Sequence, residues 1–144
     1  MKSKLLHDDR GEKTYVIVFD TGDEVASGLL DFAKKQKIEA AHFTAIGALR
    51  DLTLGYFNWD RKEYEKIPVR EQVEVLSLVG NLVASDDGPK LHAHIVVGKR
   101  DGTAHGGHLI DASVRPTLEV MLVESPRHLE RRHDADSGLA LIKL

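Results

Sequence analysis

Four of the eight histidines in this chain crowd into one short stretch, and their spacing could build a metal site. They are His92, His94, His105 and His108. Side chains of a β-strand alternate between its two faces, so His92 and His94 share one face while the apolar residues between and around them share the other. Two imidazoles side by side can chelate one ion, and such pairs occur in zinc, iron and copper sites.

The turn that follows decides whether a third histidine joins this pair. Residues 100–102 read Arg-Asp-Gly, which predicts a three-residue hairpin loop with its glycine in the left-handed conformation. Counting outward from this loop places His94 directly opposite His108, where the Cβ atoms of cross-strand neighbours lie about 4.5 to 5.5 Å apart. His105 is then expected to point to the opposite face. A two-residue turn would instead place Leu109 opposite His94.

Two interpretations of these histidines are open at the level of sequence. They could be half-exposed strand residues with ordinary hydrogen bonds, or they could be ligands of one divalent transition ion. The third histidine that the turn brings in favours the ion. Because the chain has no cysteine to supply a soft ligand, zinc is the first choice. The predicted metal ligands are His92, His94 and His108.

Other reactive groups form few patterns. No Gly-x-Ser-x-Gly segment and no phosphate-binding glycine loop occurs, and the lack of cysteine excludes a thiolate nucleophile. Glu74 lies among apolar residues of a predicted strand, where a carboxylate could orient a histidine or serve as a base. A solvent-facing strand position explains Glu74 equally well. Glu74 is thus the catalytic candidate, while Asn81, after a glycine, is expected at a turn or bulge.

The elements that must position these residues are mostly strands. Apolar residues recur at helical spacing over residues 23–36, where acidic residues open the segment and lysines close it, which predicts an amphipathic helix. Short links between strands favour antiparallel pairing, so we expect an α/β fold of the α+β type, a mostly antiparallel β-sheet with one main helix packed on it. The predicted strands are 14–20, 41–48, 53–58, 62–67, 72–84, 90–99 and 117–123, and the tail 139–144 is expected to close the sheet.

Size and charge restrict the class of protein. With 144 residues, 42% of them hydrophobic, the chain is expected to form a single domain over residues 1–144. A formal net charge of -3 argues against general DNA binding. No run approaches the ~20 apolar residues of a membrane span, and the lack of cysteine suits the cytoplasm. The candidate phosphate contacts that remain are Arg127, Arg131 and Arg132.

Five short motifs follow one another along the chain. They are Ala-Ile-Gly-Ala-Leu at 45–49, Leu-Gly-Tyr-Phe at 54–57, Glu-Val-Leu-Ser-Leu-Val-Gly-Asn at 74–81, Leu-His-Ala-His at 91–94 and Gly-Gly-His-Leu at 106–109. In this order they resemble the plant and prokaryote conserved (PPC) domain family, and the resemblance implies a domain core at about 13–142. The resemblance implies a largely antiparallel fold, a homotrimer, and ligand roles for the three histidines. The family is described as DNA-binding because plant members carry AT-hook segments, and this chain has no Arg-Gly-Arg-Pro hook.

Two classes of function follow from these observations. In the first, the protein is a DNA-associated or regulatory homotrimer in which the metal is a structural or sensing element. In the second, the three histidines leave an open coordination position, and the protein is a small metal-dependent enzyme of hydrolase or lyase type that acts on a small molecule. Duplex binding with a steep salt dependence would favour the first class, and metal-dependent turnover of a small molecule would favour the second.

Overall fold

The computed structural model describes residues 1–125 and 129–143. Within these ranges the chain is mostly strand with one helix, so the predicted α+β class is confirmed. In chain order the elements are β1 (Lys2–Asp9), β2 (Glu12–Asp20), α1 (Val25–Gln36), β3 (Ala40–Asn58), β4 (Glu63–Val69), β5 (Val73–Val83), β6 (Lys90–Gly98), β7 (Ala104–Glu124), β8 (Glu130–His133) and β9 (Ala140–Lys143).

Seven of these strands form one antiparallel sheet that curls back on itself. The strand order is β1-β2-β7-β6-β5-β3-β4, and β7 also pairs with β3, so β3, β5, β6 and β7 close into a ring. The two longest strands, of 19 and 21 residues, make this closure possible because each pairs with different neighbours along its length. Their shared ladder contains register shifts, which bend a strand and increase its twist. The apolar faces therefore meet in one interior.

The helix covers this sheet with its apolar stripe and contacts β6 and β7. It begins after Glu24, whose carboxylate accepts hydrogen bonds from the backbone N–H groups of Ala26 and Ser27 at 3.0 and 2.7 Å. It ends at Gln36, and the next residue, Lys37, caps it in the left-handed conformation with φ +56°. The helix predicted over residues 23–36 is therefore found nearly as expected. Its buried residues are Val25, Leu29, Phe32 and Ala33.

The two strands expected at 41–48 and 53–58 are one continuous strand, β3. The polar residues between them do not form a turn, because they pair with β7 across the ring, with Asp51 opposite Ser113. The strand bends at Gly47, where the register shifts. A Cβ atom on Gly47 would lie 2.8 Å from the Cα of Leu118, so only glycine lets the two backbones approach this closely.

The C-terminal segment does not close the main sheet, which corrects the expectation for residues 139–144. Strand β9 pairs with β8 in a separate two-stranded sheet. This C-terminal hairpin is attached at the end of β5, where the backbone N–H of Arg131 donates to the carbonyl of Ala84 at 3.1 Å. The main sheet is already closed by the pairing of β3 with β7, so β9 is not needed for closure.

The edge strand β1 has no counterpart among the predicted strands. All eight of its residues are exposed, so it carries no apolar alternation that a sequence pattern could reveal. It forms because it pairs with β2 along its whole length. In the described ranges, no helix is long and apolar enough to span a membrane.

Candidate metal centre

The turn between β6 and β7 is the three-residue loop that the sequence predicts. The N–H of Lys99 donates to the carbonyl of Thr103 at 2.9 Å, and the N–H of Gly102 donates to the carbonyl of Lys99 at 2.9 Å. Gly102 has φ +83°, the left-handed conformation that this loop requires. The Asp101 carboxylate accepts hydrogen bonds from the N–H and hydroxyl of Thr103, which fixes the loop.

This loop sets the register that brings three histidines together. His94 pairs directly with His108 across the hairpin, and His92, two residues before His94 on β6, lies on the same face. One ring nitrogen of each of the three histidines lies within 4.8 Å of the others, and the Nε2 atoms of His92 and His94 are 3.1 Å apart. His92 and His108 are half-buried and His94 is exposed. His105 pairs with Val97 and is exposed, so it stands outside the cluster.

Two glycines allow neighbouring strands to lie close to the strands that carry the histidines. On the buried face, a Cβ atom on Gly80 would lie 2.7 Å from the Phe43 ring and 2.9 Å from the Ala93 Cβ, so glycine lets β5 pack there against β6. On the other side, a Cβ atom on Gly55 would lie 2.9 Å from the Tyr64 ring. The space that Gly55 leaves is filled by this tyrosine.

Tyr64 covers His108 and is a site residue that the sequence did not reveal. Its ring stacks on the imidazole with centroids 4.4 Å apart and planes 25° apart. The Tyr64 hydroxyl lies 3.5 Å from His108 Nδ1, close to the limit of a hydrogen bond. Since these residues are 44 positions apart, only the pairing of β4 with β3 and of β3 with β7 brings them together.

Arg131 closes the opposite side of the cluster, and it is not a surface cation. The residue is only 7% exposed. Its guanidinium donates to the Asn81 side-chain oxygen at 2.7 Å and to the Ala140 carbonyl at 2.6 Å, and it lies 3.4 Å from His92 Nδ1. Asn81 pairs with His92 inside β5, so the expected turn or bulge at Asn81 is wrong.

Three further residues that the sequence proposed for phosphate binding or catalysis are Arg127, Arg132 and Glu74. Arg132 is exposed and forms an ion pair with Glu130 at 2.8 Å, and Arg127 lies outside the described residues. Glu74 is exposed at the far end of β5, opposite Gly98, and the structure does not bring it to the histidines. Of the two candidate arginines that the structure describes, Arg131 is buried and Arg132 is exposed, so these two do not form one surface.

The surroundings of His92 and His108 favour the neutral imidazole, which is the form that binds a metal. Burial, together with the charges of His92 and His94, lowers the pKa of His108 to about 4. Burial also lowers the pKa of His92, and the charges of Arg131 and His94 act in the same direction. Metal ions bind the neutral imidazole, so at neutral pH these rings need not release a proton first. Three imidazole nitrogens on one face fit a divalent transition ion with a coordination position left open.

The chain belongs to the Plants and Prokaryotes Conserved (PCC) domain family, whose pattern matches residues 7–126. The family resemblance of the five sequence motifs is thereby confirmed. No curated protein is similar enough to count as a match. The C-terminal hairpin, which carries Arg131, lies beyond the matched residues.

Solved structures of related proteins share the whole fold. A plant- and prokaryote-conserved protein of Pyrococcus horikoshii is 33% identical, with a TM-score of 0.86 over 99% of this chain and 95% of that chain. A metal-containing protein of Archaeoglobus fulgidus is 37% identical, with a TM-score of 0.84 over 92% and 94%. A protein of Bacteroides thetaiotaomicron, named as a candidate DNA-binding protein, is 28% identical, with a TM-score of 0.86 over 98% and 96%.

Proposed function

We propose that the protein is a metal-binding homotrimer in which His92, His94 and His108 hold one divalent transition ion, with zinc the first choice. The observation that carries this proposal is the convergence of three ring nitrogens within 4.8 Å. The metal content named for the Archaeoglobus fulgidus protein, which is 37% identical, supports it. A metal-dependent reaction on a small molecule is the activity that this arrangement favours.

The reaction class follows from the open side of the site. When bound, an ion with three imidazole ligands supplies a Lewis acid with a free coordination position, which suits hydrolase or lyase chemistry. Tyr64 fixes the plane of the His108 ring by stacking. Arg131, held by Asn81, lies 3.4 Å from His92 Nδ1, but a guanidinium has no acceptor for the ring N–H of a metal-bound histidine. Tyr64 is therefore the neighbour that orients a metal ligand.

Metal analysis of two matched variants tests the site. The parent protein and His105→Ala are expected to hold one ion per chain, because His105 stands outside the cluster. His94→Ala is expected to lose it, since it removes one of three ligands. Both variants lose an exposed histidine on a strand, so their effects on folding should be similar. A difference in metal content between them therefore reports on the metal site. Equal metal content in His94→Ala and the parent would refute the assignment.

The trimer is proposed because an apolar face is left exposed beside the cluster. Val79 pairs with His94 on one side and with Thr44 on the other, and Thr44 pairs with Met121. Val79 and Met121 are 47% and 43% exposed. Exposed apolar patches on soluble proteins mark contact surfaces. Further exposed apolar residues on β3, β5 and β6 are Ile46, Leu76 and Val96.

Light scattering of the parent and of Val79→Glu tests this surface. The parent is expected to have the mass of three chains, and Val79→Glu is expected to shift toward the monomer, because a charge would be buried at the interface. Asp31→Lys on the exposed side of the helix is the control and is expected to remain trimeric. A monomeric parent at micromolar concentration would refute the trimer.

Regulatory DNA binding is the second candidate function. It is favoured by the 28% identical Bacteroides thetaiotaomicron protein, which is named as a candidate DNA-binding protein. We expect weak binding without sequence preference, since the net charge is -3, Arg131 is buried and Arg132 is paired with Glu130. A gel-shift measurement at ~150 mM salt tests this expectation. Nanomolar, sequence-selective binding would favour the DNA-binding function over the enzyme.

A further inference from the structure

A small pocket adjoins the histidine cluster. It has a volume of about 200 Å³, and two of the three clustered histidines form part of its wall. The residues that line it include two cations and a tyrosine but no aspartate or glutamate. The polar lining residues are Tyr64, Lys90, His92, His108 and Arg131, and the apolar ones are Leu91, Leu139, Ala140 and Leu141.

The charge of Arg131 is not neutralised by any carboxylate in the described residues. Its hydrogen bonds go to two neutral acceptors, the Ala140 carbonyl and the Asn81 amide oxygen. Its Nε atom is buried and has no hydrogen-bond partner among the described residues. A guanidinium carries five N–H donors, and a cation this buried is costly unless an anion pairs with it. Arg131 therefore offers an unmatched positive charge at the pocket wall.

A second cation stands at the mouth of the same pocket. Lys90 is the first residue of β6, the strand that carries His92 and His94, and its side chain is 45% exposed. Lys90 forms an ion pair with Asp87 at 3.8 Å, and this ion pair is weak because the Asp87 side chain is 86% exposed. The two positive charges are thus available to one anion that enters between them.

The remaining wall limits the size and character of that anion. Leu91, Leu139 and Leu141 give the pocket an apolar side. A volume of about 200 Å³ lies below the ~300–1,000 Å³ of pockets for drug-sized ligands, so the occupant has few heavy atoms. A nucleic-acid strand does not fit such a pocket, and Arg131 is too buried to meet a strand at the surface.

We propose that this pocket binds a small organic carboxylate with a short apolar body. The carboxylate lies between Arg131 and Lys90, and the other end of the molecule faces the imidazoles of His92 and His108. This inference rests on the proposed metal centre, since it names the class of substrate for that centre. Arg131 belongs to the C-terminal hairpin, so the hairpin supplies substrate recognition to a site whose metal ligands lie on β6 and β7.

Isothermal titration calorimetry with 4-hydroxybutyrate tests the proposal, because its hydroxyl lies at the end of the molecule opposite the carboxylate. The zinc-loaded parent is expected to bind this acid saturably and to bind its uncharged amide at least tenfold more weakly. Arg131→Met is expected to lose at least tenfold in affinity for the acid while keeping the zinc content of the parent. Arg132→Met is the matched control, because Arg132 is the neighbouring arginine but is exposed, and it is expected to bind as the parent does.

Further arms of the experiment separate the possible failures. A parent that holds one zinc but binds neither this acid nor acetate would overturn the inference and leave the metal centre intact. Tighter binding of inorganic phosphate than of the acid would overturn the assignment to a carboxylate. If the parent holds no zinc, the proposed function fails, and the same titration of the metal-free protein decides on the anion site alone. If Arg131→Met does not fold, Lys90→Met at the pocket mouth is expected to lose affinity severalfold, and unchanged affinity would overturn the inference.

Discussion

Acidification of the metal-free protein should remove stability through His108. The pKa of this imidazole is lowered to about 4 in the folded protein, against about 6.5 in an unfolded chain. Between these values the unfolded state binds the proton and the folded state does not, so stability falls as the pH falls. One pKa unit corresponds to ~1.4 kcal/mol, and the part of the shift that is titrated between pH 7 and pH 4.5 gives about 2 kcal/mol. Solvent contact of the half-buried ring makes this an upper value.

Urea denaturation of the parent and of His108→Gln at both pH values measures this effect. All titrations use one protein concentration and a metal chelator. The parent is expected to lose about 1–2 kcal/mol more than His108→Gln on going from pH 7 to pH 4.5. His105→Gln removes an exposed histidine of the same strand, and its profile is expected to follow that of the parent. Parallel profiles of the parent and His108→Gln would refute the account of the buried imidazole.

Two predictions concern the fold, and one concerns the support of the site. Gly47→Ala is expected to lower the free energy of unfolding by about 3 kcal/mol, because the new Cβ meets backbone atoms of β7. In Gly98→Ala the new Cβ meets only the flexible Leu76 side chain at 3.3 Å, so the loss should be under about 1 kcal/mol. Equal losses in urea denaturation would contradict this. Glu24→Ala removes the helix cap and should cost about 1–2 kcal/mol in the same assay, while Asp31→Ala on the exposed helix face should cost little. Tyr64→Ala should weaken zinc affinity about tenfold in chelator competition. Tyr64→Phe should not weaken it, because phenylalanine keeps the stacking on His108. An equal loss in both variants would assign the effect to the hydroxyl.

The burial of Glu24 raises its pKa, but three backbone N–H groups and the Ser27 hydroxyl overcome this and hold the pKa below its usual value. The cap is therefore ionised at neutral pH. Its stabilisation is present above the unfolded pKa of the carboxyl and is lost as the pH falls through the lowered folded value. The Glu24→Ala effect is thus expected to shrink in acid, which the same denaturation series measures.

Local geometry explains why the histidine cluster could be predicted from sequence. The loop at residues 100–102 has a sequence that determines its own conformation, and that conformation fixes which residues of β6 and β7 are opposite each other. His94 and His108 therefore meet because of interactions within a single hairpin. The helix was predictable for a similar reason, since its apolar spacing and charged ends are local features.

The residues around the cluster could not be predicted because they come from distant segments. Tyr64 is 44 positions from His108, and Arg131 is 39 positions from His92. Their proximity depends on the closure of the ring through β3 and β7 and on the attachment of the C-terminal hairpin to β5. A basic residue in a charged segment gives no sign of burial, so Arg131 had the pattern of a surface cation.

The sequence by itself thus determined the class of fold, the family, the helix and the register of the histidine hairpin, because each follows from turn chemistry, side-chain periodicity or ordered motifs. The tertiary structure alone decided that the strands form a ring and that the pocket is lined by Tyr64 and Arg131. It also decided that Glu74 lies far from the histidines. The physical reason is that a turn fixes only its own two strands, whereas long-range pairing depends on how all the apolar faces are buried together.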